Sequence, residues 1–163
     1  MIAIGLGSNL DQPLSQIDQA IAAFDALPGT TVTRQSSRYR SKPMGPQDQP
    51  DFINAVILLE TDLPPSELLA ACHTIEQQQG RQRLRHWGER TIDCDVLLYH
   101  DQVITTPTLT VPHPGIEQRA FVLVPLLEIA PNSCRPDGVH YADALADALA
   151  HLPKTDHPKL IES

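Results

Sequence analysis

Long apolar runs are missing from this chain, and with them any segment able to cross a bilayer as a helix. The N-terminal apolar stretch Met1 to Leu6 has no basic lead-in and meets polar Ser8 and Asn9 too soon for an export signal. Basic residues are scarce: 12 Lys and Arg stand against 20 Asp and Glu, a net charge of -8. A general nucleic-acid-binding surface needs the opposite sign to neutralise phosphates. Cysteine is scarce too, since Cys72, Cys94 and Cys134 are odd in number, far apart and without Cys-x-x-Cys spacing. That pattern indicates neither a disulfide framework nor a zinc knuckle, and predicts small core residues kept reduced. The 7 histidines show no zinc-ligand spacing either. These absences predict a soluble, cytoplasmic protein whose partners are neither membrane nor nucleic acid.

The 163 residues suffice for one domain with a real core and are too few for two comfortable ones. A single domain over residues 1–163 is therefore expected, with 154–163 as a polar, frayed tail. Ile2 to Leu6 reads as a short buried strand ending at Gly7, Ser8 and Asn9. Asp11 and Pro13 open a helix whose apolar residues Leu14, Ile17, Ile21 and Phe24 recur at three and four, until Pro28 and Gly29 stop it. Thr31 to Arg40 reads as an exposed strand and Phe52 to Leu59 as a central one, separated by a proline-rich loop from Ser41 to Pro50. Pro64 and Pro65 introduce a second helix with Leu68, Leu69, Cys72, Ile75 and Gln79 along one side, ending near Gly80. An arginine-rich loop then leads into a strand after Thr91. The order β-α-β-β-α-β predicts an α+β fold with a ferredoxin-like core, an antiparallel sheet with helices packed against it. Beyond it, a short hairpin over Gln102 to Val111, a helix interrupted at Pro125 and a C-terminal helix over Tyr141 to Leu152 are expected.

The chemistry concentrates between Trp87 and Tyr99, where Trp87, Gly88, Arg90 and Thr91 run into Asp93, Asp95 and an apolar strand. Side chains two apart in a strand point to one side, so both carboxylates share a face and make a seat for a divalent cation. Alternating acids are as readily explained by salt bridges to nearby arginines, but carboxylates beside a buried strand are costly unless paired or metal-bound. Arg81, Arg83, Arg85 and Arg90 lie just upstream, and Arg34, Arg38, Arg40 and Lys42 form a second basic segment. Two local basic segments in an acidic chain suit a small anionic ligand, and arginine forks beside metal ligands suit a polyphosphate. Gly5, Gly7, Ser8, Asn9 and Leu10 follow a strand and precede a helix, but Leu10 stands where a dinucleotide fingerprint needs a small residue, and no Walker Lys-Ser/Thr follows. For the Asp-x-Asp alone, a nucleotide-sugar transferase is the alternative, although it needs a larger nucleotide-binding domain.

Four ordered blocks carry a resemblance. They are Gly5 to Leu10; Ser41 to Gly45 with Gln49, Pro50, Phe52 and Asn54; Trp87, Gly88, Arg90, Thr91, Asp93 and Asp95; and Val111 to Pro114 with Arg119, Phe121, Leu123, Pro125 and Leu126. In this order and at these separations, from residue 4 to about 131, the chain resembles the 6-hydroxymethyl-7,8-dihydropterin pyrophosphokinase family. The resemblance implies a monomeric ferredoxin-like enzyme of folate biosynthesis that moves the terminal pyrophosphate of ATP onto the pterin hydroxymethyl group and releases AMP. It implies that Asp93 and Asp95 hold two Mg2+ ions, and that Arg81 and Arg90 act with them in catalysis. Glu76, Arg81, Arg83, Arg90, Thr110, His113 and Arg119 fall on ATP-binding positions. Ser41, Pro43, Met44, Phe52, Asn54, Trp87 and Phe121 fall on pterin-binding ones. Lys42, Glu89, Cys94 and a shortened loop around Leu84 to His86 depart from the family pattern, and none of these changes removes a charged ligand.

Overall fold

The computed structural model describes residues 1–43, 47–80 and 91–161. Its centre is β1 (Ile2–Ser8), an apolar strand buried from both faces, which pairs antiparallel with β4 (Phe52–Thr61) on one side and β5 (Asp93–Tyr99) on the other. The exposed strand expected over Thr31 to Arg40 is two strands, β2 (Thr30–Gln35) and β3 (Tyr39–Ser41), both paired antiparallel to β4 and interrupted at Ser36–Arg38. The Ser36 hydroxyl accepts the Val56 N–H there at 2.9 Å, while Ser36 N–H donates to the Val56 carbonyl at 2.9 Å. The order β5-β1-β4 followed by β2 and β3 is the ferredoxin-like arrangement.

Helix α1 (Pro13–Asp25) and helix α2 (Pro65–Gln78) pack on one face of this sheet. Each begins with proline, whose fixed φ and missing N–H suit the first turn. The α1 stripe is Ile17, Ala20, Ile21 and Phe24; Leu14, expected on it, is 44% exposed because it points away from the sheet. Gly80 stops α2 at a φ of +75°, a left-handed position that glycine adopts without strain. Cys72 and Cys94 are buried in this core as expected, whereas Cys134 is exposed, because it lies in a surface turn bridged to His140 rather than in a helix or strand.

The other sheet face carries α3 (Ala120–Ile129) and α4 (Ala142–Ala150), which form a second core with Ala3, Val56 and Leu97. Pro125 does not interrupt α3. It lacks only the bond to the Phe121 carbonyl in the helix's first turns, and burial of Ala120, Val122, Leu123, Pro125, Leu126 and Ile129 offsets that loss. The hairpin expected over Gln102 to Val111 is β6 (Ile104–Thr105) paired with β7 (Thr110–Val111).

The largest departure is at the C-terminus. Residues 154–161 are not frayed: a 3-10 turn at Lys154–Asp156 leads into β8 (Lys159–Leu160), which pairs antiparallel with β3. The outer edge of β3 offered unpaired backbone groups, and the chain's own end satisfies them. Polar composition alone does not show this.

Helix α3 is tied to the strand interruption by Glu128, whose carboxylate accepts bonds from the Ser37 N–H, the Ser37 hydroxyl and the Tyr39 hydroxyl. Burial pushes its pKa up, but these donors prevail and hold it below the ordinary value, while burial and Glu128 push the Tyr39 phenol up to about 12. A carboxylate with a depressed folded pKa stabilises above its unfolded pKa, and that contribution is lost as pH falls through the folded value. Tyr39→Phe should therefore lower stability at pH 7 by under about 1 kcal/mol, given the exposure of Glu128. In urea titrations the gap from the wild type should shrink below about pH 4. A gap that widens in acid would contradict this assignment.

A two-chambered candidate active site

The sheet register assembles the site. Gly7 on β1 sits opposite Asp93 on β5 and opposite Asn54 on β4, so an acid, a glycine and an amide form one row across three strands. In the next row Gly5 lies between Asp95 and Val56. The two carboxylates therefore share a face, as alternation requires, while Cys94 between them is buried in the opposite core. Asp93 and Asn54 are carried two strand spacings apart, about 9 to 10 Å between their backbones, and Gly7 places no side chain between them. A Cβ on Gly7 would lie 3.2 Å from Asn54 Oδ1, and one on Gly5 would lie 3.3 Å from the Leu97 side chain.

A cleft opens over these rows, between the sheet and the start of α3. It is lined by Ser41, Phe52, Asn54, Asp93, Asp95 and Phe121, among others. Asn54 is 5% exposed; its Nδ2 donates to the Ser41 hydroxyl at 2.6 Å, which aligns the amide without using all its donors and acceptors. Phe52 and Phe121 are half-buried and present ring surface to the cleft. Pro43 lines an adjoining groove rather than the cleft itself. Asn9, just after β1, is tied to the segment that precedes β4: its Nδ2 donates to Gln49 Oε1 at 2.9 Å and to the Pro50 carbonyl at 3.0 Å.

A second cavity lies across β5, lined by Glu76, Thr110, His113 and Asp95 together with Leu69 and His73. Asp95 is the residue common to both chambers. Glu76 is 4% exposed, and its carboxylate accepts the Cys94 N–H at 2.9 Å, which holds the strand between the two aspartates. His113 N–H donates to the Leu97 carbonyl at 2.9 Å and anchors the turn to β5. Burial lowers the His113 pKa below its ordinary value, the Asp95 charge opposes this and the Arg119 charge adds to it. The neutral ring accepts the Gly115 N–H at Nδ1, 3.1 Å away, so its own proton sits on Nε2 as a donor.

Arg119 is expected with the nucleotide, but it does not line the second cavity. It lies on the cleft side, its guanidinium 5.8 Å from the Phe121 ring centroid, because α3 begins there and directs both residues over the sheet. Lys42 also lines the cleft and stands 4.0 Å from Asp51. Met44, Arg81, Arg83, Trp87 and Arg90 lie outside the described residues. Sequence reasoning placed no site role on Gly5, Gly7, Leu97 or Val122, all of which line the cleft. The signal for the two glycines was a Gly-x-Gly inside an otherwise apolar strand, which marks a close backbone approach.

The fold is a small α+β domain in which an acidic strand face lies between two cavities that share Asp95. The sequence model of 7,8-dihydro-6-hydroxymethylpterin-pyrophosphokinase (HPPK) matches residues 3–131. The 2-amino-4-hydroxy-6-hydroxymethyldihydropteridine pyrophosphokinase of Haemophilus influenzae is 50% identical over 134 residues, covering 82% of this chain and 84% of that one. The Pseudomonas aeruginosa protein of the same name is 47% identical over 145 residues, covering 89% and 90%. Solved Plasmodium falciparum HPPK-DHPS with pteroate superposes with a TM-score of 0.73 at 11% identity and covers 99% of this chain. At that identity the likeness is one of fold; this chain spans 46% of that longer one. The chain belongs to the HPPK family, and its activity is the family's pyrophosphokinase step in folate biosynthesis.

The row geometry yields a direct test. Gly7→Val should leave the fold intact while filling the gap between Asp93 and Asn54, lowering affinity for hydroxymethyl-dihydropterin at least tenfold and leaving ATP affinity within twofold by calorimetry. Unchanged pterin affinity would show that the gap holds no ligand.

Proposed function

We propose that the cleft over Asn54 takes 6-hydroxymethyl-7,8-dihydropterin, that the cavity beside His113 takes the nucleotide of ATP, and that pyrophosphate passes between them at Asp93 and Asp95. The observation that carries this reading is that one carboxylate, Asp95, lines both chambers. In the reaction the pterin hydroxymethyl oxygen bonds to the β-phosphorus of ATP, the bond from that phosphorus to the α,β-bridging oxygen breaks, and AMP leaves. Such a transfer asks the protein mainly for positioning and for neutralisation of charge on the phosphate oxygens.

Asp93 and Asp95 suit Mg2+ by donor chemistry, since that ion takes hard carboxylate oxygens from one or two residues and fills its remaining positions with phosphates and water. When bound, two Mg2+ ions would spread the phosphate charge and lower the pKa of the attacking hydroxyl, so no separate base is required. Asn54 reads the pyrimidine edge of the pterin, held in place by Ser41, while Phe52 and Phe121 supply aromatic faces for the ring. Trp87 adds a third face and Met44 a further contact in this reading, while Pro43 borders the adjoining groove. His113, through its Nε2 proton, and Thr110 orient the nucleotide, and Glu76 keeps the β5 backbone in register beneath it. Arg119 acts from the cleft side, where its charge faces the transferring phosphates, and Arg81, Arg83 and Arg90 clamp them with forked contacts. The protein works as a cytoplasmic monomer.

Asp95→Asn tests this reading without a large change of volume. It should lower kcat by about a thousandfold, the scale on which a major electrostatic contact is lost, while circular dichroism and melting temperature stay near the wild type. The wild-type enzyme should need a divalent metal and release AMP. Detection of ADP as the nucleotide product, or full activity in excess chelator, would overturn the mechanism.

A second test separates the chambers. Asn54→Ala should weaken pterin binding by about 1 to 3 kcal/mol, the cost of leaving buried polar groups unpaired, and should not change ATP affinity. Equal losses for both ligands in titration calorimetry would show that the two pockets are not distinct.

A further inference from the structure

The C-terminal residues 152–161 follow the matched family region, which ends at residue 131, and they form an arm anchored at both ends. At one end His157 Nε2 lies 2.9 Å from the Leu149 carbonyl and 3.1 Å from the Leu152 carbonyl, at the C-terminal end of α4. At the other end Leu160 and Lys159 pair with Tyr39 and Arg40 of β3, Ile161 N–H donates to the Arg38 carbonyl at 2.9 Å, and the Ile161 side chain packs against the first core. Along this arm Leu152, Asp156 and Pro158 line a groove of about 580 Å3 together with Lys42, Pro43 and Phe121. This groove shares Ser41, Lys42, Arg119 and Phe121 with the cleft.

Strand β3 is only three residues long and is separated from β2 by the Ser36–Arg38 interruption. Without the arm it would be held by β4 along a single edge, and so short a strand gains little from one ladder. Ser41 ends this strand, and its hydroxyl is the partner that aligns Asn54. Any play in β3 therefore passes directly to the amide and to the Lys42–Pro43 segment.

We propose that the C-terminal arm is a positioning element of the pterin cleft. Paired along the outer edge of β3, it fixes where Ser41, Lys42 and Pro43 stand and so pre-organises Asn54 before the pterin arrives. Pre-organisation of this kind acts on affinity for the ligand of that cleft and not on the remote nucleotide chamber. The proposal rests on the assignment of the cleft to the pterin.

The test uses the full-length chain. Ile161→Pro removes the N–H that bonds to Arg38 and should raise KM for the pterin at least fivefold, with kcat and the KM for ATP within twofold of the wild type. Ile161→Val keeps the N–H and the packing and should behave as the wild type, as should Lys159→Ala. Hydrogen exchange should show β3 losing protection in Ile161→Pro alone. Unchanged pterin KM with β3 deprotected would overturn the proposal, as would a joint fall of melting temperature, kcat and both affinities, which would mark a merely structural role. Asn54→Ala is the reference. If it weakens pterin binding and Ile161→Pro does not, the arm proposal fails alone; if neither variant affects the pterin, the cleft assignment itself is wrong.

Discussion

The register between β5 and β1 is the constraint on which the rest of this protein depends. Gly7 opposite Asp93 and Gly5 opposite Asp95 put both carboxylates on the open face of the sheet and put Cys94 and Val96 into the closed one. A slip of one residue would exchange them, driving two acids into an apolar core at a cost of several kcal/mol each. The buried side chains of β5 thus specify the position of half-buried Asp93 and exposed Asp95. Glu76 reinforces this from below by accepting the Cys94 N–H between them.

From that register follows the separation into two chambers. β5 is the edge of the six-stranded sheet, so Asp95 is reachable from the cleft above the sheet and from the cavity beside α2. Helices α1 and α2 pack on one face and leave the second cavity beside α2, whereas α3 and α4 pack on the other face, where the cleft opens at the start of α3. Two separate openings thus meet at one carboxylate, Asp95. The glycines complete the arrangement by keeping side chains out of the space between the acids and Asn54.

The helices and strands were legible because each carries a simple period. Ile17, Ile21 and Phe24 return to one side of a helix, and Pro13, the Pro64–Pro65 pair and Gly80 mark helix ends by backbone chemistry that acts locally. The candidate acids were legible for the same reason, since alternation in a strand needs no knowledge of neighbours. Asn54 could be singled out as a polar residue inside an apolar run, but its partner Ser41 could not, because that contact joins β3 to β4. Arg119 shows the limit from the other side: its place on the cleft side is decided by the direction in which α3 starts, which no local pattern encodes.

The C-terminal arm marks the boundary most clearly. Sequence by itself determined the core strands β1, β4 and β5, the two helices packed on them, their order, the placing of Asp93 and Asp95 on one face and, through four ordered motifs, the family. Local propensity and side-chain period act over a few residues, so they can be read from a chain in isolation. Only the tertiary structure decided that residues 159–160 become a strand, that Pro125 stays within a helix, and that Asp95 serves two cavities. Each of these depends on a distant surface that satisfies a backbone edge, buries a ring or leaves an opening, and that free energy exists only once the chain has folded against itself.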